Sequence, residues 1–264
     1  MCLTGHAFDA NKRGYLNLVD RSRGIAGDTR EILEARARFL SHGYYSPVVE
    51  LVDAMLGAYG QSAAWNEHTG IDLMDSGCGT GYYAAALLAR HELWRALELD
   101  VSVDAVTSAV RATGAPGVVA DVWRPLPVRD ARADVVLCVF APRNADEFAR
   151  VLRPEGALVV VTPAAAHLAE LRDDGLVIGM QPDKLDNLDE TMGSEFDLVD
   201  RRPLEYTLGL APDELADLAG MGPSGHHRAH PEPSGDYSAD RTSVTVAVDV
   251  SVYRARSQSK VRFR

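Results

Sequence analysis

The fold of this chain is decided by the stretch Ile71-Asp72-Leu73-Met74-Asp75-Ser76-Gly77-Cys78-Gly79-Thr80-Gly81-Tyr82-Tyr83. Its apolar first half predicts a short buried strand, its glycines predict a tight turn, and a helix is expected to start near Tyr82. A strand, a glycine turn and a helix start in this order are typical of a nucleotide-binding corner in a parallel α/β sheet. Gly77 and Gly79 leave room for a ligand to approach the main chain, and the helix start presents unpaired N–H groups to that ligand.

The spacing of the glycines indicates which kind of nucleotide is bound. A dinucleotide-binding corner has the pattern G-x-G-x-x-G, whereas here the third glycine, Gly81, comes one residue early and Tyr82 takes the expected glycine place. The order Asp75-x-Gly77-x-Gly79-x-Gly81 instead resembles motif I of class I S-adenosylmethionine-dependent methyltransferases. In that motif the acid at the strand end, here Asp75, lies close to the methionine part of the cofactor. A glycine turn without a ligand is the alternative.

Two further acids support a nucleoside ligand. The run Arg95–Asp100 predicts a second strand, and its last residue lies about twenty residues after the glycine turn. A carboxylate at this place can accept hydrogen bonds from both ribose hydroxyls, although Asp100 alone would also fit a helix cap or a solvated charge. Asp121 ends a third predicted strand, residues 118–121, and is a candidate contact for the adenine amino group, with an Asx turn as the alternative.

Length and composition bound the possible classes of protein. The 264 residues suffice for one α/β domain with an appendage, and 46% hydrophobic with 25% charged residues is ordinary for a globular protein. No apolar run reaches membrane-spanning length, and three scattered cysteines argue against a disulfide framework, so a cytoplasmic protein without a membrane partner is expected. A net charge of −11 argues weakly against a large non-specific nucleic-acid surface and leaves room for a local basic face.

The chain is predicted to have three parts. In residues 1–27, Cys2 and His6 have the spacing of half a zinc site, and the cluster Arg21-Ser22-Arg23-Gly24 suits contact with phosphate. Ordinary N-terminal residues are the alternative, because a structural zinc site needs four ligands. Residues 28–255 are predicted to form the α/β domain, with 28–60 as its helical lead-in. Residues 256–264 form a basic tail without an acid, which suits contact with RNA.

Two later stretches place further candidates near the glycine turn. A near-continuous apolar run over residues 134–140 predicts a strand buried on both faces. It leads into Ala141-Pro142-Arg143-Asn144, at the carboxyl edge of the sheet where a reacting base must lie. A helix after Pro163 is predicted to carry His167 at its start, where this histidine is either a surface residue or a wall of the ligand pocket.

Taken in order along the chain, these features resemble the RlmA family of 23S rRNA guanine-N1 methyltransferases. Within that family they are most similar to the macrolide-resistance members of the tylosin- and mycinamicin-resistance type. The resemblance covers nearly the whole chain. It rests on Cys2-x3-His6-x-Phe8-Asp9, residues 13–18 and 35–45, the glycine turn with Tyr82-Tyr83, residues 120–123 and 139–144, and Thr162-Pro163 followed by His167-Leu168.

The resemblance implies a class I methyltransferase fold, Rossmann-like with a seven-stranded, mostly parallel sheet, and S-adenosyl-L-methionine as its cofactor. The implied cofactor contacts are Tyr45, Tyr83, Ala84 and His167, which join Asp75, Gly77, Gly79, Gly81, Asp100 and Asp121. The family's N-terminal module binds zinc and recognises rRNA. Its ligands carry over only to Cys2 and His6, because the preceding Cys-x2-Cys pair is lacking, so an incomplete zinc site is expected.

The implied substrate is a guanine, of the nucleotide 748 type, in a hairpin loop of domain II of 23S rRNA. It lies in the tunnel wall where macrolides bind, so resistance to drugs such as tylosin or mycinamicin is the implied outcome. Arg143 or Asn144 is expected near guanine O6, and the alternatives for the acceptor of the N1 proton are Asp121, Glu147 and His167. Tyr44 and the region of Tyr15 are candidates for stacking the extruded base.

Two functions of other classes share parts of this pattern. A small-molecule methyltransferase of a natural-product pathway would need the cofactor residues but not the basic, cysteine-bearing N-terminus. A non-catalytic RNA-binding protein with a relic fold would not need an intact glycine turn followed by Asp100. The sequence also leaves open a homodimer.

Overall fold

The computed structural model of the chain describes residues 10–19, 27–63, 65, 70–173, 175, 188, 190–222 and 241–256. The strands are β1 (Tyr15–Asn17), β2 (Asp72–Ser76), β3 (Arg95–Asp100), β4 (Gly117–Val119), β5 (Ala133–Val139), β6 (Leu152–Pro163), β7 (Phe196–Leu210) and β8 (Thr242–Ala255). The helices are α1 (Arg30–Ser41), α2 (Ser46–Ser62), α3 (Tyr82–Leu88), α4 (Val103–Thr113), α5 (Ala145–Val151), α6 (Ala169–Asp173) and α7 (Pro212–Gly220).

The described strands form one sheet in the order β1-β4-β3-β2-β5-β6-β8-β7. The pairs from β1 to β6 are parallel, whereas β8 runs antiparallel to both β6 and β7. The mostly parallel α/β fold predicted from the sequence is confirmed. The strand order reverses between β2 and β5, and in such sheets the ligand crevice lies outside the carboxyl ends of the strands at that point.

The sheet has one strand more than the seven expected, because β1 adds to its edge. Tyr15 pairs with Gly117 of β4, and the Leu18 N–H donates to the Val119 carbonyl oxygen at 3.0 Å. A strand of three residues has no periodicity, so only its tertiary pairing defines it. β1 belongs to the predicted N-terminal module, and this part of the module therefore extends the main sheet. The boundary predicted at residue 27 stays a prediction.

The core lies on both faces of the sheet, as the continuous apolar run in β5 requires. Val135 and Leu137 pack with residues of α2 and α3 on one face. Val136 and Cys138 pack with α5 on the other face. Alternate residues of one strand therefore serve two cores, and this fixes the register that brings the carboxyl end of β5 beside β2.

The helical lead-in begins at a side-chain cap. The Thr29 hydroxyl accepts a hydrogen bond from the Ile32 N–H, and α1 starts at the next residue. Arg38 of α1 forms a two-pronged ion pair with Asp217 of α7, with a shortest contact of 2.6 Å. No helix among the described residues is both long enough and apolar enough to span a membrane.

Candidate active site

The glycine loop after β2 lies at the reversal of strand order. Gly77, Gly79 and Gly81 have φ values of 78°, 53° and 77°, a region that favours glycine. A Cβ on Gly77 would lie 2.4 Å from the Cβ of Ala141, and one on Gly81 would lie 2.7 Å from the Cα of Ala109. Glycine is therefore needed both for the backbone conformation and for the close approach of the chain after β5 and of α4.

Three carboxyl groups cluster beneath this loop. Asp75 of β2 and Glu98 of β3 are paired in register and are 3% and 0% exposed. Burial and the charge of Asp100 raise the pKa of Asp75, and burial and the charge of Asp75 raise the pKa of Glu98. Thr113 is the polar neighbour of Glu98, but its hydroxyl donates to the Ala109 carbonyl oxygen at 2.8 Å. The cluster is therefore not fully ionised at neutral pH.

Two backbone hydrogen bonds fix the orientation of the Asp100 carboxylate at the end of β3. One carboxylate oxygen accepts the Gly79 N–H at 3.1 Å, and the other accepts the Ser102 N–H at 2.9 Å. Burial raises the pKa of Asp100, while these two hydrogen bonds and the charge of Arg36 act in the opposite direction. A carboxylate has about four lone-pair sites, so each oxygen keeps one for a ligand hydroxyl.

An aromatic wall faces this corner from four different elements. The Phe140 ring stacks on the His167 ring at 5.9 Å between centroids and 24° between planes. Tyr45 and Tyr83 meet Phe140 edge to face, at 6.2 Å and 6.5 Å. Burial raises the pKa of both tyrosines, so their hydroxyls stay neutral. The structure thus brings together three of the predicted cofactor contacts, whereas the side chain of Ala84 is fully buried in α3.

The sequence predicts His167 at the start of a helix, and this prediction is wrong. The residue lies in a turn, where its N–H donates to the Ala164 carbonyl oxygen at 3.0 Å, and α6 begins only at Ala169. The Ala247 N–H donates to its Nδ1 at 3.2 Å, so the proton of the neutral ring is assigned to Nε2, which faces the Tyr45 hydroxyl at 3.5 Å. Burial and the charge of Arg172 lower the pKa of His167 to about 4.

His167 is therefore a poor acceptor for the guanine N1 proton, since the accepting lone pair of its neutral ring, on Nδ1, already takes the Ala247 N–H. Glu147 is also committed elsewhere. Its carboxylate accepts from Arg150 at 2.6 Å and from the Leu126 N–H at 2.5 Å, and the Arg150 hydrogen bond lowers its pKa. Of the three predicted acceptors only Asp121 remains. One of its oxygens accepts the Trp123 N–H at 3.0 Å, in the Asx turn weighed as the alternative.

Asn144 has a local structural role that the sequence did not indicate. Its Oδ1 caps α5 by accepting the Glu147 N–H at 3.3 Å, and its Nδ2 donates to the Val122 carbonyl oxygen at 2.8 Å. Both polar atoms thus have a partner within the protein, which fixes the orientation of the amide and leaves it one further N–H. These bonds hold the loop that carries Asp121 against the edge that carries Arg143.

Arg143 is the free cation of this edge. The half-buried side chain forms no hydrogen bond or ion pair with any residue in the described part of the chain. Its charge partly opposes the effect of burial, which raises the pKa of the nearby Cys138 thiol to about 12. Arg143 is therefore available for a ligand with developing negative charge.

Sequence reasoning missed two residues at this site. Arg36 of α1 pairs with Asp28 at 2.6 Å, and a Cβ on Gly79 would lie 3.0 Å from its guanidinium. Nothing in the sequence separates Arg36 from Arg30 and Arg38, which lie on the same helix. Phe140 looked like the last residue of an apolar strand, yet it is 42% exposed and has a φ of 54°.

The residues present fit S-adenosyl-L-methionine. Asp100 offers lone pairs suited to a ribose diol, and the loop beside it has no Cβ at Gly77, Gly79 or Gly81, so its backbone is open to close approach. Within the described residues the buried Ser76 hydroxyl has no hydrogen-bond partner, which leaves an unpaired polar group next to the loop. In contrast, the described ranges hold no group of three or more His, Cys, Asp or Glu suited to a metal. Cys2 and His6 lie outside those ranges, so the zinc ligands stay a prediction.

Comparison with known proteins agrees with this assignment. Residues 74–160 match the family model described as a methyltransferase domain. A chain from the complex between the Haloferax volcanii Trm112 methyltransferase activator and a methyltransferase shares the fold, with a TM-score of 0.51 and 17% identity over 88% of this chain and all of that chain.

Two relatives are more similar in sequence. The chain is 41% identical over 229 residues to the 23S rRNA (guanine(748)-N(1))-methyltransferase of Streptomyces fradiae, which covers 86% of this chain and 80% of the relative. It is 36% identical over 263 residues to a protein of Micromonospora griseorubida named for guanine-N1 methylation of 23S rRNA, covering 97% and 89% of the two chains. On this similarity the protein belongs to the family of 23S rRNA (guanine-N1)-methyltransferases.

Proposed function

We propose that this protein transfers a methyl group from S-adenosyl-L-methionine to N1 of a guanine in a domain II hairpin loop of 23S rRNA. The observation that carries the proposal is the 41% identity to the S. fradiae enzyme named for guanine 748. The methylated nucleotide lies in the tunnel wall, so the outcome is resistance to macrolides such as tylosin or mycinamicin. The partner is 23S rRNA and the place of action is the cytoplasm; a homodimer stays a prediction.

The cofactor end of the site is built from the glycine loop and its acids. Asp100 binds the ribose hydroxyls, the Gly77–Gly81 backbone lies along the cofactor, and Asp75 lies nearest to its methionine part. When bound, S-adenosyl-L-methionine supplies a methyl group already activated by the positive charge of its sulfonium. The rings of Tyr45 and Tyr83 suit that charge because aromatic faces attract cations.

The low pKa of His167 serves the same end. A histidine with a pKa of about 4 is neutral at physiological pH, so it completes the wall without repelling a cation. The hydrogen bond from the Ala247 N–H fixes the orientation of its ring. His167 is therefore proposed as a wall and orienting residue and not as a base.

The substrate end is proposed to act on charge that develops in the guanine. As N1 loses its proton, negative charge spreads to O6, and the free guanidinium of Arg143 is placed to stabilise it. The second carboxylate oxygen of Asp121 lies outside its Asx turn and 3.8 Å from the Nε of the exposed Arg124, a long contact that leaves it for the adenine amino group or for the N1 proton. Asn144 is a positioning residue that holds the Asp121 loop in place through the Val122 carbonyl.

The test is methyl transfer from labelled cofactor to a domain II hairpin transcript, with a macrolide aglycone as the competing substrate. Arg143→Ala is expected to lower kcat about 100- to 1,000-fold, the range seen when one donor to a developing oxyanion is removed. Cofactor affinity measured by calorimetry should not change. Arg111→Ala is the control, because Arg111 is an exposed arginine in the last turn of α4.

Two results would contradict the proposal. Methylation of the aglycone and not of the hairpin would favour the small-molecule alternative. Loss of cofactor binding in Arg143→Ala would move this arginine from the substrate end of the site to the cofactor end.

A further inference from the structure

We propose that Phe140 is the platform on which the target guanine stacks after it has left the hairpin loop. This inference rests on the proposed function and names the residue that positions the base. It follows from four observations: the backbone conformation of Phe140, its exposure, its position beside the glycine loop, and the commitment of the other candidate rings to internal contacts.

The backbone at Phe140 is strained without a reason in packing. Its φ of 54° is rare for a bulky residue, and such strain persists where the surrounding structure holds it for function. The ring is 42% exposed, so core burial does not explain the choice of phenylalanine. The N–H of Phe140 donates to the Val161 carbonyl oxygen at 3.1 Å, which anchors the residue to β6.

The ring is supported so that its orientation is fixed. His167 lies against it nearly parallel, at 24°, while Tyr45 and Tyr83 meet it at 79° and 65°. The His167 ring is in turn fixed by the Ala247 N–H. A rigid, partly exposed and uncharged aromatic ring is what stacking of an unstacked RNA base requires.

Phe140 also stands at the right place relative to both ends of the site. The next residue, Ala141, comes so close to Gly77 that a Cβ there would clash. Arg143 follows three residues after Phe140 on the same edge. Stacking on Phe140 would fix the plane of the guanine, and a contact from Arg143 to O6 would fix its rotation in that plane. Together they would align N1 with the methyl group.

The stacking candidates named from the sequence have internal neighbours in the structure. The Tyr44 ring stacks on His42 at 5.5 Å and packs against Phe39 at 5.3 Å, and its hydroxyl donates to Glu214 at 2.7 Å. Tyr15 is 6% exposed and lies in β1, at the edge of the sheet and four strands from β5. Phe140, at 42% exposed, is the better placed ring for a base.

The experiment compares Phe140→Leu, Phe140→Tyr and Phe140→Gly with the wild type on the domain II hairpin. Phe140→Leu keeps the backbone strain and much of the volume but removes the π face. We expect its kcat to fall about ten- to a hundred-fold, as loss of one base–aromatic stack implies, with hairpin KM and cofactor affinity unchanged. Phe140→Tyr should restore kcat. Phe140→Gly should be as slow as Phe140→Leu without loss of thermal stability, because glycine relieves the strain.

The matched control is Trp94→Leu. Trp94 stacks on His91 at 4.1 Å and 13°, so it is also a histidine–aromatic pair, but it precedes β3 at the amino edge of the sheet. Its kinetics should equal those of the wild type. Equal turnover of Phe140→Leu and wild type would overturn the inference and leave the proposed function standing. A similar loss in Trp94→Leu, or loss of cofactor binding in Phe140→Leu, would also overturn it. A wild type that does not methylate the hairpin would overturn the proposed function first.

Discussion

The ionisable side chains at the two edges of the sheet differ in how completely they are paired. At the amino edge, Arg153 pairs with Asp134 and with Asp72, the latter at 2.8 Å. Arg95 adds a second ion pair to Asp72 at 2.7 Å, and Asp134 also accepts the Asp72 N–H at 2.8 Å. Each of these charges has an opposite charge within bonding distance. At the carboxyl edge only some of the charges are paired: Arg36 pairs with Asp28 at 2.6 Å, and Arg124 faces Asp121 at 3.8 Å.

There, Asp75, Glu98 and Asp100 form no ion pair with any described residue, and Arg143 has no acid. Groups of this kind cost stability unless a ligand completes them. The amino edge is thus a structural network, and the carboxyl edge keeps polar groups available for the cofactor and the base. The difference teaches that ionisable groups without an ion-pair partner, and not the number of ionisable groups, locate the site in this fold.

The largest effect that tests this contrast is expected from Gly77→Ala. The added Cβ would lie 2.4 Å from the Cβ of Ala141, so the loop and the chain after β5 must move apart. We expect cofactor binding and methyl transfer to be lost, as measured by calorimetry and by the hairpin assay.

Gly114→Ala is the matched control for this substitution. Gly114 has a similar φ, 71° against 78°, and nothing lies within 4 Å of its Cβ position. It should show only the backbone cost of about 1 kcal/mol in unfolding free energy, with normal binding. Normal cofactor affinity in Gly77→Ala would mean that the close approach of Ala141 does not shape the site.

The glycine loop is also where the sequence was most informative. The spacing of Gly77, Gly79 and Gly81 and the acids Asp75 and Asp100 carry local signals, because turn geometry and strand ends are determined within a few residues. Two helix caps follow local rules as well, because the Thr29 and Ser102 hydroxyls each accept the N–H three residues on.

What the sequence could not show depends on contacts between distant residues. Asn144 looked like a substrate residue because it ends an apolar strand, and only the position of Val122 reveals its bond. His167 looked helical, but the Ala247 N–H and the turn after Pro163 fix it outside α6. The sequence does not distinguish Phe140 from the other residues of its apolar run, because its exposure and φ are properties of the folded chain.

A middle-sized effect, on stability alone, is expected from Arg153→Met. Removing this guanidinium leaves Asp72 and Asp134 without their shared partner, although Asp72 keeps Arg95. Arg153 is about a third exposed, so solvent screens part of the loss, and we expect about 1–2 kcal/mol less unfolding free energy in urea. Turnover on the hairpin should not change. Arg30→Met, which breaks the exposed pair with Glu34, should change neither quantity measurably. A drop in turnover for Arg153→Met would show that the amino edge also serves the site.

The effect that needs a pH series to be seen is expected from Asp75→Asn. Burial and the charge of Asp100 raise the pKa of Asp75, so between the unfolded carboxyl pKa of about 4 and its higher folded value the folded state holds a proton that the unfolded state has lost. The wild type therefore loses stability as pH rises through this window. Asparagine has no such proton, so the stability of Asp75→Asn relative to wild type should grow as pH rises above 4 and then level off. The size of this gain reports how far the folded pKa lies above the unfolded one, at about 1.4 kcal/mol for each pH unit of the window.

Glu147→Gln supplies the opposite sign for this measurement. Hydrogen bonds from Arg150 lower the pKa of Glu147, so its contribution to stability is present above the unfolded carboxyl pKa and is lost as pH falls through the folded value. Both differences in stability from wild type should therefore shrink in acid. They have opposite signs above that range, a deficit for Glu147→Gln and an advantage for Asp75→Asn. Urea unfolding of both variants and wild type across the acid range separates the two cases. An Asp75→Asn advantage that does not change with pH would mean that Asp75 is ionised in the folded protein. It would then share the paired state of the amino edge, and the contrast between the two edges would fail at its most buried carboxyl group.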